Sequence, residues 1–588
     1  MRTIEEIVAL YNHRRRILGP VHDQMQAVRE LARGDVIVPL NELDANARAS
    51  VANLLSIGLD QMSMRVASTM PTPYFPPMKE ASQRSKDLAS LRKKTMISFW
   101  DHNRMNMKLR RRSRHLLGYS TSPVIVKPCF RTNMPKWHLR NPLDTYPAPS
   151  DDMDNPVPDD VIFTYRKPYQ WLVAMYGPMI DGKLRVGDPD PDTMFTLIEY
   201  VDADYMVIGV LGAPDDPMLP PAQRAGMEVM ELERVNNRTG MPMAVVPQRI
   251  TIDQPRGQFD DMLGMFYTRA RLQALTEIAI ERGIFPDEYL VARPGENPEL
   301  IQIADGKSGQ LGIIKGGDLQ IQQVNPGYKT EQALDRIERQ ERLEGAIPAE
   351  FGGESGTNIR TGRRGENVLS ATVDFRVQEA QEILASSLLE EDKVAIAVDK
   401  AYFGNQQKSF FIPGRANVDK ADYTPNKLWE TDFHHVAYSA AGSDVNNLII
   451  GLGQRMGTGM MSKESAREAD PLIDDPEMEH DRITSEGVEA ALLASIQQQA
   501  AQPDGPYQPA DLASLVRKVM VENKSLFDAV AEVDQEARER QATEAEQMSP
   551  ATMPGLAMPG MGAEQPMAAP PPGAGGGGIE ALLAQLGA

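Results

Sequence analysis

A single cysteine, Cys129, in 588 residues excludes a disulfide framework and any four-cysteine zinc site. No run of about 18 apolar residues occurs, so no membrane-spanning helix is expected. Basic charge is also short: 62 Lys and Arg stand against 82 Asp and Glu, for a formal charge of −20. That balance excludes the wholesale basic footprint of a DNA-coating protein. Glu5 and Glu6 interrupt the first apolar stretch, which argues against a secretory signal. At roughly 100–200 residues per domain, the length leaves room for three to five units.

Phosphate-binding loops are missing as well. Gly306-Lys307-Ser308 resembles the end of a P-loop, but Ile301 stands where that loop needs glycine. The flanks read strand-turn-strand. Asp188, Asp190, Asp192 and Glu199 match the first, third, fifth and twelfth positions of a calcium loop. Thr193 occupies the position that needs glycine, so a plain acidic turn competes with a cation site. His434 and His435 are adjacent; in a strand they face opposite ways and cannot clamp one metal together. Cys129 has no visible catalytic partner and reads as a small buried residue. No serine elbow and no Ser/His/Asp order is visible. No catalytic, cofactor or metal residues are therefore expected, and the chain reads as a non-enzyme.

What is present is a patterned succession of elements. Thr3-Ile4-Glu5-Glu6 is a capping box, followed by the helical stripe Ile4, Ile7, Val8 and Tyr11. A second apolar helix is expected within 40–70, ended by Pro71 and Pro73. Residues 81–117 read as one long polar helix carrying Lys93, Lys94, Arg104, Lys108, Arg110, Arg111, Arg112 and Arg114, with Asp101 as the one acid after Asp87. An acidic neighbouring subunit fits such a face; nucleic acid and a merely solvated face are the competing readings.

Between 119 and 255 the pattern predicts short strands: 123–128, 161–165, 171–176, 195–200 and 205–210. A strand pair over 227–233 and 241–252 would turn at Asn236–Gly240. A helix is expected over 257–281 with Met265, Leu272, Leu275 and Ile278 on one side. Short β segments follow over 287–327. Next comes a helix over 329–343 that is polar nearly all round: Glu331, Asp335, Arg336, Glu338, Arg339, Glu341 and Arg342. The loop 347–367 carries five glycines with Asn358, Arg360, Arg363 and Arg364. A long helix over 368–402 keeps Ala380, Ile383, Leu384, Ser387 and Leu388 at helical spacing. Residues 409–440 look β-like, and helices broken by prolines follow from 444. The segment 549–578 holds 8 glycines and 7 prolines, a disordered composition.

This order of parts resembles the portal proteins of tailed bacteriophages. The resemblance rests on Pro135-Lys136-Trp137-His138-Leu139-Arg140 and Asn141-Pro142-Leu143-Asp144-Thr145-Tyr146-Pro147, which are similar to portal wing sequence. It rests also on the helix, β insert and returning helix after 257, on Pro348-Ala349-Glu350-Phe351-Gly352-Gly353, and on Met461-Ser462-Lys463-Glu464-Ser465 within 448–489. It covers roughly residues 35–490; the tail after 548 has no counterpart in the common core.

The resemblance implies an α+β ring subunit. Its parts would be a β-rich wing (1–256), a stem helix (257–283), a small β clip (284–327) and a second stem helix (328–344). A tunnel loop (345–367), a long helix with returning wing strands (368–440), a helical crown region (441–545) and a tail (546–588) would follow. It implies a homo-oligomer of roughly twelve copies closed into a ring. That ring would sit in the virion at one capsid vertex after assembly in the host cytoplasm, with double-stranded DNA passing through it non-specifically. Terminase, the major capsid protein and a head-tail adaptor would be its partners, with no membrane. Arg360, Arg363, Arg364 and Asn358 would line the channel; the alternative is that the arginines anchor the loop to Glu390-Glu391-Asp392. Asp335, Arg336, Glu338 and Arg339 would pair between subunits. A scaffold or minor head protein, distinguished by ring counting, and a packaging-motor enzyme, distinguished by ATPase turnover, are the alternatives.

Overall fold

The computed structural model describes residues 2–34, 53–79, 82–180, 191–214, 229–284, 287–292, 300–302, 311–314, 317–322, 328–345, 362–413, 418–438, 445–470, 473, 476–500, 507–522 and 525–547. The fold is α+β. It divides into two compact units, 1–476 and 477–588.

The larger unit opens with helices α1 (Ile4–Ile17), α2 (Gly19–Arg33) and α3 (Leu54–Val66). The capping box is present at α1: Glu6 N donates to Thr3 Oγ1 and Thr3 N donates to Glu6 Oε2. Ile4, Ile7 and Tyr11 are buried, as the stripe requires. The expected helix within 40–70 is the shorter α3; residues 35–52 lie outside the described residues. Strand β1 (Thr72–Tyr74) follows.

The expected single helix over 81–117 is two, α4 (Gln83–His102) and α5 (Met105–Tyr119). No glycine or proline makes the break. The side chain of Asn103 turns inward, donating to the carbonyls of Phe99 and Pro135 and accepting from Trp137 N. Arg104 then takes a left-handed φ of 52° to restart the chain as α5. The two tertiary hydrogen bonds, to Pro135 and Trp137, thus win over local helix propensity.

Two sheets follow. Strands β2 (Val124–Cys129), β3 (Met134–Leu139) and the short β9 (Ala244–Val245) form one, in the order β3-β2-β9. An antiparallel meander forms the other: β4 (Thr145–Pro147), β5 (Asp160–Pro168), β6 (Met194–Asp202), β7 (Tyr205–Pro214) and β8 (Met230–Asn236). Residues 171–176, expected as a strand, lie instead in helix α6 (Tyr169–Ile180). Leu172 and Ile180 pack there against Phe195, Leu197 and Val210 of the meander. A short apolar run does not by itself distinguish a buried strand from a buried helix turn. The expected hairpin at Asn236–Gly240 is also absent: β8 pairs with β7, and β9 crosses to β2. Asn237 holds the turn by donating to the carbonyls of Asp202 and Met241, so it links two sheets rather than two strands of one.

After the small hairpin β10 (Ile250–Thr251) and β11 (Gln254–Pro255) comes helix α7 (Leu263–Ile284). Four strands, β12 (Asp287–Ala292), β13 (Leu300–Gln302), β14 (Leu311–Ile314) and β15 (Gly317–Gln322), make a sheet in the order β13-β14-β12-β15. Helix α8 (Tyr328–Glu344) returns from it. Helix α9 (Gly362–Phe403) runs 42 residues, about 63 Å at 1.5 Å per residue. It begins six residues before the expected start. Gly362 and Gly365 each oppose helix by about 1 kcal/mol, but extending a formed helix costs far less than nucleating one. Strands β16 (Lys408–Pro413) and β17 (Val418–Tyr423) form a hairpin, and β18 (His435–Ala437) pairs with β1.

The second half of α9 threads the core. Leu388, Val394, Ala395, Ile396 and Val398 pack with Phe99, Trp100, Val124, Ile125, Trp137, Phe163 and Trp429. Its polar residues are buried there and paired. Arg112 of α5 donates to Glu391 Oε2 at 3.0 Å and to Ser387 Oγ at 2.9 Å. Trp100 Nε1 donates to Asp392 at 2.9 Å, and Trp429 Nε1 to Asp399 at 2.9 Å, where Lys408 also bonds. His434 is buried beside Asp392 and stacked on Phe75, while His435 is exposed, as two adjacent residues facing opposite ways would be. The described residues of the smaller unit are mainly helical. In it Ile496, Leu515, Ala529, Val530 and Val533 share a core, and Lys518 bridges Glu532 and Glu536.

Candidate channel and subunit interface

Helix α7 is positioned by the turn that precedes it. Gln258 N donates to Leu117 O at the end of α5, and Asp260 Oδ2 accepts from Gly257 N. A Cβ on residue 257 would meet Gly118 O at 2.8 Å, so only glycine fits this approach. The inward face of α7 is Phe266, Ala270 and Ala274, packed with Leu55, Met62 and Val66 of α3 and Val377, Ala380 and Leu384 of α9. This corrects the expected stripe. Leu275 is exposed, with Tyr267 and Ile280, and Met265, Leu272 and Ile278 are half-buried. Phe266 fills this face, the two alanines let the helices approach closely, and Tyr267, Leu275 and Ile280 are left outside.

Helix α8 is held to α7 by charge. Arg269 Nη1 donates to Glu341 at 2.9 Å and its Nη2 to Glu338 at 3.0 Å; Arg342 bonds Glu338 from one turn away at 2.8 Å. The Glu341 side chain is fully buried, and burial raises its pKa against the pull of Arg269. Of the four residues expected to pair between subunits, Glu338 is therefore engaged within its own chain. Asp335, Arg336 and Arg339 are exposed. Arg269, which clamps α8 to α7, is the residue that periodicity missed: nothing in the local sequence separates it from the neighbouring Arg271 until its carboxylate partners are adjacent.

Of the channel-loop residues, Asn358 and Arg360 lie outside the described residues. Arg363 and Arg364 lie in the first turn of α9, not in a loop. Their alternative anchor is occupied. Arg112 holds Glu391, Trp100 and His434 hold Asp392, and Lys393 holds Glu390.

The basic segment divides. Arg112 is buried in the core ion pair, and half-buried Lys108 donates to Trp137 O at 2.6 Å. Arg114 meets Asp60 at 2.8 Å on the surface, and Arg110 and Arg111 are exposed. So the five residues do not form one docking face: helical periodicity turns Arg112 inward, where Glu391 receives it. Burial, with Lys136 nearby, pushes the Lys108 amine down to about 8.

The acidic turn at 188–199 divides too. Asp188 and Asp190 lie outside the described residues, and Glu199 is buried in β6 between Lys127 and Arg140. Gly306-Lys307-Ser308 also lies outside them, between antiparallel strands β13 and β14. Cys129 is half-buried at the end of β2. Among the described residues no three His, Cys, Asp or Glu side chains gather as metal ligands, and no helix is long and apolar enough to cross a membrane.

Compared with known proteins, the chain matches no family model and no curated protein.

Proposed function

We propose that this chain is the subunit of a portal: a non-enzymatic ring at one capsid vertex of a virion, assembled in the host cytoplasm. DNA is packaged and ejected through it, and the terminase motor and head-tail adaptor dock on it. The observation that carries this reading is the excursion α7, four-stranded sheet and α8, followed by the 42-residue α9. In this reading α7 and α8 are the stem, β12–β15 the clip, and the segment before α9 the tunnel loop. The α8 face bearing Asp335, Arg336 and Arg339, and the exposed Tyr267, Leu275 and Ile280 of α7, then meet neighbouring copies. Exposed ion pairs contribute only about 0–1 kcal/mol each, so repetition around roughly twelve subunits matters. A chain of net charge −20 suits a channel through which duplex slides, since each fixed phosphate contact adds affinity.

Arg360, Arg363 and Arg364 touch passing phosphates without reading bases, which needs fixed access to base edges. Changing all three to alanine is expected to leave ring assembly and heat stability intact and to impair packaging or retention of the genome. Unstable rings, or wholly normal packaging and retention, would count against the channel role.

A further inference from the structure

Strands β2 and β3 place two lysines directly opposite each other, Lys127 and Lys136. Facing residues of an antiparallel pair share one side, and like charges there repel. Two-residue alternation along β3 adds His138 and Arg140 to that side. Lys108 reaches the same strand from α5 through Trp137 O. The buried Glu199 is taken by Lys127 and Arg140, and Glu391 acts on Lys108, while Lys136 makes no ion pair among the described residues. Lys136 is exposed. The concentration of charge is felt at His138: burial and the four cations around it push its imidazole down to about 4.

The same chain carries the complement. The β4–β5 connection holds Asp151, Asp152, Asp154 and Asp159, all exposed, and none makes an ion pair among the described residues. The loop has fixed geometry. Asp154 N donates to Asp152 Oδ1, Val157 N donates to Asn155 Oδ1, and Val246 N, just past β9, donates to Pro156 O at 2.7 Å. That last bond sets the loop beside β9, while Lys136 lies on β3. These are the two opposite edges of the β3-β2-β9 sheet. Complementary patches on different edges of one subunit are placed for head-to-tail association between copies.

We propose that the basic face centred on Lys136 receives the Asp151–Asp154 loop of a second copy of this chain, as a heterologous contact repeated around the ring. The inference rests on the portal reading. Duplex DNA is the weaker occupant, because Lys127 and Arg140 are recessed against Glu199 and the cations do not form a row tracking a phosphate backbone.

The test is a charge swap in the full-length chain, read by mass and by ring counting at moderate salt. Lys136→Glu alone, and Asp151→Lys with Asp152→Lys, should each weaken subunit association about tenfold or more, and combining them should restore much of the loss. Both sites are exposed, and an unchanged circular dichroism spectrum checks that the variants fold. Rings of wild-type stability from Lys136→Glu would overturn the docking and leave the portal reading standing. So would loss of association without rescue in the combined variant. Intact rings with weakened duplex binding would reassign the face to nucleic acid. A wild-type chain that stays monomeric would overturn both.

Discussion

Arg112→Ala is expected to destabilise the larger unit by about 3–5 kcal/mol, because it leaves the Glu391 carboxylate buried without its cation. Both side chains are almost wholly inaccessible, at 1% and 0%. The pair joins α5 to the middle of α9, the helix around which the core is built. Glu391→Ala should cost a similar amount. Replacing both by apolar residues of similar volume, Arg112→Met with Glu391→Leu, should recover most of the loss, since the pair's attraction is largely offset by desolvation. Arg114→Ala, which breaks the exposed pair with Asp60, should cost under about 1 kcal/mol. Urea midpoints at equal protein concentration compare the four variants. If Arg112→Ala and Arg114→Ala shift the midpoint equally, the buried pair is not what ties α5 to α9.

The second large effect concerns the four-stranded sheet between α7 and α8. Strands β12 and β15 pair along their full length, and Ala292 stands directly opposite Gly317. Residues 293–316 can therefore be replaced by a two-residue Asn-Gly turn while the β12–β15 hairpin is retained. This variant removes β13 and β14 and leaves α7, α8 and their Arg269 clamp in place. If this sheet is the face that the packaging motor and adaptor grip, the variant should assemble but yield capsids empty of DNA. Normal genome filling would refute the docking assignment. Failure to assemble would instead assign β13 and β14 to contacts between subunits.

The sequence made some of these features legible and hid others for physical reasons. The capping box at Thr3 and Glu6 and the β6–β7 hairpin rest on neighbours in the chain, and local pattern suffices for them. The succession helix, β insert, helix and long helix was legible because short β-rich segments between turn residues separate stretches of helix-forming composition. The break at Asn103 was not, because the bonds that make it reach Pro135 and Trp137. The inward face of α7 was not, because two alanines and an arginine stand there beside Phe266, and exposed large residues such as Leu275 and Ile280 mislead. Arg112 read as part of a basic surface because Glu391 is 279 positions away. The Lys127–Lys136 pair was within reach: the two residues sit symmetrically about the turn at 130–133, so the hairpin register alone places them face to face.

If this chain is a ring subunit, its mass and a count of its rings show it. The purified full-length chain is held at micromolar concentration and moderate salt, weighed by native mass spectrometry, and imaged in negative stain. The account expects closed rings with a central hole and a mass near twelve times 65.0 kDa. A monodisperse monomer under those conditions would contradict it.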